Sequence, residues 1–167
     1  QSPLEEFKEA LKNYSRDDLP YLFWGASCWA SWIALHLDSM EALADLPRVE
    51  WMMRRSLEID EGFYYGGPHL FMGIWYASRP KMAGGDLDKA RGHFLKAIGL
   101  GHGDFLMAYV YFAQYYARQT QDKDLFVSTL QKVLEIPAHV PRDLTLVNTV
   151  AKKRAQELLG RVDEFFE

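Results

Sequence analysis

Between residues 19 and 37 the chain carries no formally charged side chain, and Trp24, Trp29 and Trp32 lie inside that run. A stretch this apolar must cross a bilayer, fill a core or line a cavity. Its length is close to the roughly 20 residues that a spanning helix needs. The pattern argues against a span. Tryptophans of a spanning helix gather at the two interfaces, whereas these are spread along the run. Pro20, Gly25, Ser27 and Ser31 dilute it, and no basic cluster flanks it. The expectation is a water-soluble helix, capped at Asp17 or Asp18 and running to about Leu37, with almost every face covered.

The rest of the chain also reads as helix. Leu4, Phe7, Ala10, Leu11 and Tyr14 share one face of a helix over residues 4–14. Pro47 opens a helix that reaches residue 59, with Met52, Met53 and Leu57 on its apolar face. The stretch "DEGFYYGGPH" reads as a loop by its glycines. Pro68 starts a helix that ends before Pro80, because the residue before a proline resists the helical region. After the loop "RPKMAGGD", Asp86 caps a helix over residues 87–100 whose inner face is Leu87, Ala90, Phe94, Ala97 and Ile98. Further helices follow over residues 105–119, 124–136 and 142–159, with a short amphipathic tail after Gly160. No segment alternates for long enough to make a strand, so the expected fold class is all-α.

Composition sets the domain organisation. The chain has 167 residues, 49% of them apolar and 25% charged, which suits a single globular domain over residues 1–167. The helices come in pairs, and the pairs approach the 34-residue tetratricopeptide spacing. Ala113, Tyr116, Leu125 and Pro137 fit it in the last pair. Gly73, Tyr76, Ala90, Phe94 and Ala97 fit the one before, with about five extra residues in the connection. A looser pair uses Ala26, Trp29, Val49, Met53 and Ser56. Small residues let helices approach and aromatics fill the gaps. The expected architecture is antiparallel helix pairs stacked as a tetratricopeptide-like α-solenoid.

The chemistry-bearing residues are sparse. The net charge is −4 with both signs interspersed, which disfavours a nucleic acid partner. Cys28 is the single cysteine and reads as a small buried hydrophobe. Among His36, His69, His93, His102 and His139 no pair has metal-ligand spacing. His93 falls on an outer, solvated face, and His69 reads as a hydrogen-bonded structural histidine. Ser27 and Ser31 lack a nucleophile-elbow context. The double glycines lack the lysine of a phosphate loop. No catalytic residue, no metal site and no cofactor is expected. The informative excess is aromatic. Rings crowd more than one face of "GFYYGGPHLFMGIWYASRP" and of "FLMAYVYFAQYYARQ", so the surplus faces need dense packing, a ligand cavity or a subunit interface.

Four stretches carry a family resemblance: "YLFWGASCWASWIAL", "GPHLFMGIWYASRPKMAGGDLDKARGHFLKAI", "FLMAYVYFAQYYARQTQDKDLF" and "LTLVNTVAKKRAQELL". With them the chain resembles the TatT family, the T component associated with tripartite ATP-independent periplasmic (TRAP) transporters. The resemblance implies cryptic tetratricopeptide-like pairs and a periplasmic accessory protein that forms a trimer. It implies an apolar pore that takes a hydrophobic or organic-acid small molecule, and association with the substrate-binding P component. It also implies a lipid anchor at the N-terminus. Cys28 lies within a helix and cannot be the anchoring cysteine, and the chain is shorter than a full member is expected to be. Either an anchored N-terminal part precedes Gln1, or the chain is a short, soluble relative of the family. The ligand candidates are Trp24, Trp32, Tyr65, His69, Phe71, Trp75, Tyr76 and Arg79, with Arg79 and Lys81 either holding a carboxylate at the cavity mouth or standing solvated beside Pro80. The competing reading is a scaffold that grips a peptide or protein on its concave face, which would need more polar side chains than the inner helices offer.

Overall fold

The computed structural model describes residues 2–166. Every regular element among them is helical and none is a strand, so the fold class is all-α as the pattern requires. The chain divides after Phe63 into two compact units.

The first unit holds α1 (Pro3–Leu11), α2 (Leu19–Ala34), α3 (Met40–Ala44) and α4 (Leu46–Ile59). Ser2 caps α1, its Oγ accepting from the Glu5 backbone N–H at 3.3 Å. The helix stops three residues short of the expected Tyr14. Beyond it the backbone tightens into turns, with Asn13 N–H bonded to Ala10 O and Tyr14 N–H to Leu11 O. The Arg55 guanidinium donates to Tyr14 O at 2.8 Å. It also reaches Lys12 O at 3.4 Å, a carbonyl that the end of α1 leaves without an intrahelical donor.

The charge-free run corrects one expectation. Helix α2 buries a single stripe, Leu19, Leu22, Phe23, Ala26 and Ile33. Tyr21, Trp24, Trp32 and Leu35 lie on the far side and are exposed, Tyr21 at 78%. Residues 19, 22, 23, 26 and 33 fall within one narrow arc at 100° per residue, and position 28 lies almost opposite. Cys28 is accordingly exposed rather than buried. Ser27 and Ser31 donate back to Phe23 O and Ser27 O at 2.8 and 2.9 Å, so their hydroxyls are used within the helix. The helix also ends at Ala34, before the expected Leu37. Among the described residues, no helix is long and apolar enough to cross a membrane.

Helix α4 presents Val49, Met53 and Ser56 inward, all fully buried. Met52 and Leu57, expected beside Met53, are half-buried. Each fully buried apolar side chain of this size contributes about 1.5–3 kcal/mol. Ser56 spends its hydroxyl on Met52 O at 3.0 Å. Arg16 ties the start of the unit to its end through Asp60, at 2.5 Å.

The second unit holds most of α5 (Phe63–Ala77), then α6 (Leu87–Leu100), α7 (Leu106–Tyr111), α8 (Lys123–Glu135), α9 (Thr145–Leu159) and α10 (Val162–Phe165). The segment expected to be a glycine loop is instead wound into the opening of α5. Tyr64, Tyr65 and Gly66 have φ of 47°, 57° and 77° in succession, and the right-handed helix follows them. Gly66 is needed twice over. Its φ is left-handed, and a Cβ there would stand 3.0 Å from Ala97 Cα of α6. At Gly73 the Phe94 ring occupies the space, 3.0 Å from where a Cβ would be.

Helix α6 follows the sequence pattern. Asp86 caps it, its carboxylate accepting from the Lys89 backbone N–H at 3.0 Å. Ala90, Phe94 and Ala97 are fully buried, while Leu87 and Ile98 are half-buried. The single helix expected over residues 105–119 is instead α7 followed by a π-helical turn, Phe112–Ala117. There the Arg118 N–H bonds to Ala113 O, five residues back, at 3.1 Å. Helix α7 begins at Leu106 because buried Asn148 of α9 caps it. The Asn148 Oδ1 accepts from Leu106 N–H at 3.0 Å, and its Nδ2 donates to Asp104 O at 2.8 Å. Asp122 caps α8 through Leu125 N–H at 2.9 Å.

Candidate functional site

Helix α5 distributes its candidate residues over separate faces, because its period places positions four apart together and positions one or two apart on different sides. Phe71 and Trp75 stack with ring centroids 5.8 Å apart. The Arg79 guanidinium lies 3.4 Å above the Trp75 ring. This ladder is a cation–π arrangement, so Arg79 is half-buried on an aromatic face rather than extended into water. Lys81, its expected companion, is exposed.

His69 and Tyr76 turn instead to α6. His69 Nδ1 lies 2.8 Å from His93 Nδ1, and the His93 ring stacks on Tyr76 at 5.6 Å. The expectation of a solvated His93 is thus corrected: it is half-buried and paired. One ring must donate and the other accept, so a single proton lies between the two nitrogens. Among the described residues no group of three or more histidine, cysteine, aspartate and glutamate side chains is placed to hold a metal ion.

Tyr65 opens a third location. Left-handed φ at Tyr64 and Tyr65 turns their rings onto Phe105, Tyr65 stacked at 5.6 Å and Tyr64 edge-on at 5.7 Å. The Tyr65 hydroxyl donates to the Asp143 carboxylate. That hydrogen bond raises the phenol's pKa above its ordinary 10.0, with burial and the Asp143 charge adding to it. The two tyrosines and Asp143 border a groove of about 590 Å³, completed by Leu144, Leu146, Val147 and Val150. Leu146 and Val150 are one turn apart on α9 and stand 79% and 50% exposed. The groove's walls are apolar, and its one ionised group, Asp143, is engaged with a phenol.

Trp24 and Trp32 belong to the first unit. Trp24 meets the Phe23 ring edge-on at 4.9 Å, and Trp32 stacks on the His36 ring at 4.7 Å. Of the eight candidates, then, the second unit gathers Phe71, Trp75 and Arg79 in one set, His69 and Tyr76 in another, and Tyr65 alone in the groove.

Sequence reasoning missed Asp143, Leu144, Leu146, Val147 and Val150. Apolar positions on an amphipathic helix read as core, and only the exposure of Leu146 and Val150 reveals a free face.

The family model for TRAP transporter T-components matches residues 1–166. A comparison with curated proteins finds no match.

Proposed function

The chain belongs to the TRAP transporter T-component family, and on that premise we propose a non-enzymatic, periplasmic accessory component that binds the apolar part of a small molecule and associates with the substrate-binding P component. The groove beside Tyr64 and Tyr65 carries this reading. Its volume of about 590 Å³ lies within the range of small-molecule sites, which are mostly apolar with few oriented polar groups. Tyr65 supplies the oriented polar group, and Leu146 and Val150 supply apolar wall. Asp143 would repel a ligand carboxylate lodged beside it, so an organic acid would place its hydrocarbon here and its head group outward. Tetratricopeptide-like helix pairs and a homotrimer belong to the same proposal. Exposed Tyr21, Trp24 and Trp32 are surface that a subunit or partner would cover.

Native mass spectrometry of the freshly purified protein, under gentle and then stripping conditions, tests the ligand and the subunit number together. The expected result is a trimer that releases an apolar or acidic small molecule. Val150→Asp, which places a charge in the groove wall at an exposed position, should abolish that adduct and the uptake of the apolar fluorophore N-phenyl-1-naphthylamine. A protein that retains nothing, and binds the fluorophore no less well as Val150→Asp, would remove the ligand half. A mass of one chain at micromolar concentration would remove the trimer. Sedimentation with the transporter's own P component should give a faster species than either alone, and two unchanged boundaries would remove the partner.

A further inference from the structure

Charge distinguishes two pockets of the second unit. One, of about 440 Å³ beside the π-helical turn, is lined by both Arg118 and Glu164, so the two signs border it together. The groove at Tyr65 has Asp143 as its one ionised group and no basic side chain among its lining residues. Arg142, next to Asp143 in the chain, does not line it. Among the described residues Asp143 makes no ion pair, and its side-chain contact is the hydrogen bond from the Tyr65 hydroxyl. A donating phenol positions the carboxylate without cancelling its charge. A carboxylate has about four acceptor sites, so most remain for a ligand.

The rings beside Asp143 favour the same sign. Tyr64 and Tyr65 both line the groove, T-shaped to one another with centroids 5.8 Å apart. The face of a tyrosine ring attracts a cation, because its quadrupole is negative there. Leu146, Val147 and Val150 complete the wall without any polar side-chain group.

Asp143 is exposed to water. A ligand that fills the groove strips part of that water away, and a charge that loses water without a partner is destabilised. A neutral ligand offers the carboxylate no compensation, and an anion adds repulsion. A cation replaces what the water supplied, and the two rings add to its attraction.

We infer that the groove selects an amphipathic cation, its ammonium head against Asp143 and the rings of Tyr64 and Tyr65, and its apolar part along Leu146 and Val150. The inference rests on the groove being a ligand site, as proposed above, and adds the charge of the head group that enters it.

Isothermal titration calorimetry on the intact chain tests it with three probes that share one tail: octyltrimethylammonium, octan-1-ol and octanoate, each kept below its micelle or solubility limit. Octyltrimethylammonium should bind about tenfold more tightly than octanol or better, and octanoate no more tightly than octanol. Asp143→Asn keeps the shape and removes the charge. It should erase the preference for the cation and leave octanol binding unchanged. Tyr64→Leu should weaken the cation more than the alcohol. Asp88→Asn removes the same charge from exposed surface on α6, outside the groove. It should leave the preference intact, which separates the site from the net charge of the chain. Circular dichroism verifies that each variant keeps the fold. Binding of none of the probes would overturn both the inference and the groove as a ligand site. Binding of octanol or octanoate that Val150→Asp abolishes, with no preference for the cation, would keep the ligand site and overturn the inference alone. A preference that survives Asp143→Asn, or is lost in Asp88→Asn, would overturn it in the same way.

Discussion

The two ring-rich stretches of the second unit meet the same difficulty in opposite ways. Each carries more aromatic side chains than one face of an α-helix can bury. Helix α5 departs from α geometry at its start, where Tyr64, Tyr65 and Gly66 run left-handed and send two rings onto Phe105. The stretch after α7 departs at its end, where the widened turn from Phe112 to Ala117 carries the stacked rings of Phe112 and Tyr116, 5.1 Å apart. One departure is a reversal of handedness and the other a change of pitch. Each lies against a pocket. The lesson is that aromatic crowding is resolved by the backbone as well as by rotamers, and that cavities open where the backbone gives way.

Phe94 joins the two stretches, so its loss should be the most damaging change. Its ring is fully buried, fills the space left by Gly73 and packs on Phe112 at 5.7 Å. Phe94→Ala should cost about 3–5 kcal/mol in urea-induced unfolding monitored by circular dichroism. A loss under ~1 kcal/mol would mean that the stretches stand independently, and the comparison would have no shared core beneath it.

Gly66→Ala should come next, and it sharpens the reversal at the start of α5. A side chain at φ 77° is strained, and its Cβ would press on the α6 backbone. Strain of about 1–2 kcal/mol and overpacking of about 1–3 kcal/mol combine to roughly 2–5 kcal/mol. Gly84→Ala separates the two contributions. Gly84 has φ 88° but nothing within 4 Å of its would-be Cβ, so only the strain remains, about 1–2 kcal/mol. Equal losses in the two variants, again from urea unfolding, would mean that contact with Ala97 contributes nothing.

What was legible in the sequence follows the range of the physics involved. The cap and the core stripe of helix α6 were legible, since Asp86 at its start and Ala90, Phe94 and Ala97 along one face are local signals. The burial of α2 was not, because a run apolar on every face does not say which face will be covered. The π-helical turn was invisible for a related reason. Where nearly every position is apolar, a period of 3.6 cannot be told from a wider one over six residues. Tyr65 was singled out for its ring, yet its partner Asp143 lies 78 residues away and no local pattern joins them. The His69–His93 pair is 24 residues apart, and it was hidden because His93 shares its helix face with charged neighbours. Exposed surface made of ordinary apolar residues, such as Leu146 and Val150, has no sequence signature distinct from core.

The smallest effect tests how the left-handed opening of α5 is held. The π-helical turn is held by stacked rings, whereas Tyr65 has in addition a polar tether to Asp143. Tyr65→Phe removes only that tether. The bond is solvent-exposed, so screening reduces it to about 0.5–1 kcal/mol. Its pH dependence has a definite sign. The phenol's folded pKa is raised, so the contribution is fully present below the unfolded value near 10 and is lost as pH rises through the folded value. Asp143→Asn should bring the Tyr65 titration back towards its ordinary value, read as the ultraviolet difference between that variant with and without Tyr65→Phe. A Tyr65 titration unmoved by Asp143→Asn would show that the carboxylate does not hold the phenol. The two departures from α geometry would then be held alike, by ring packing alone.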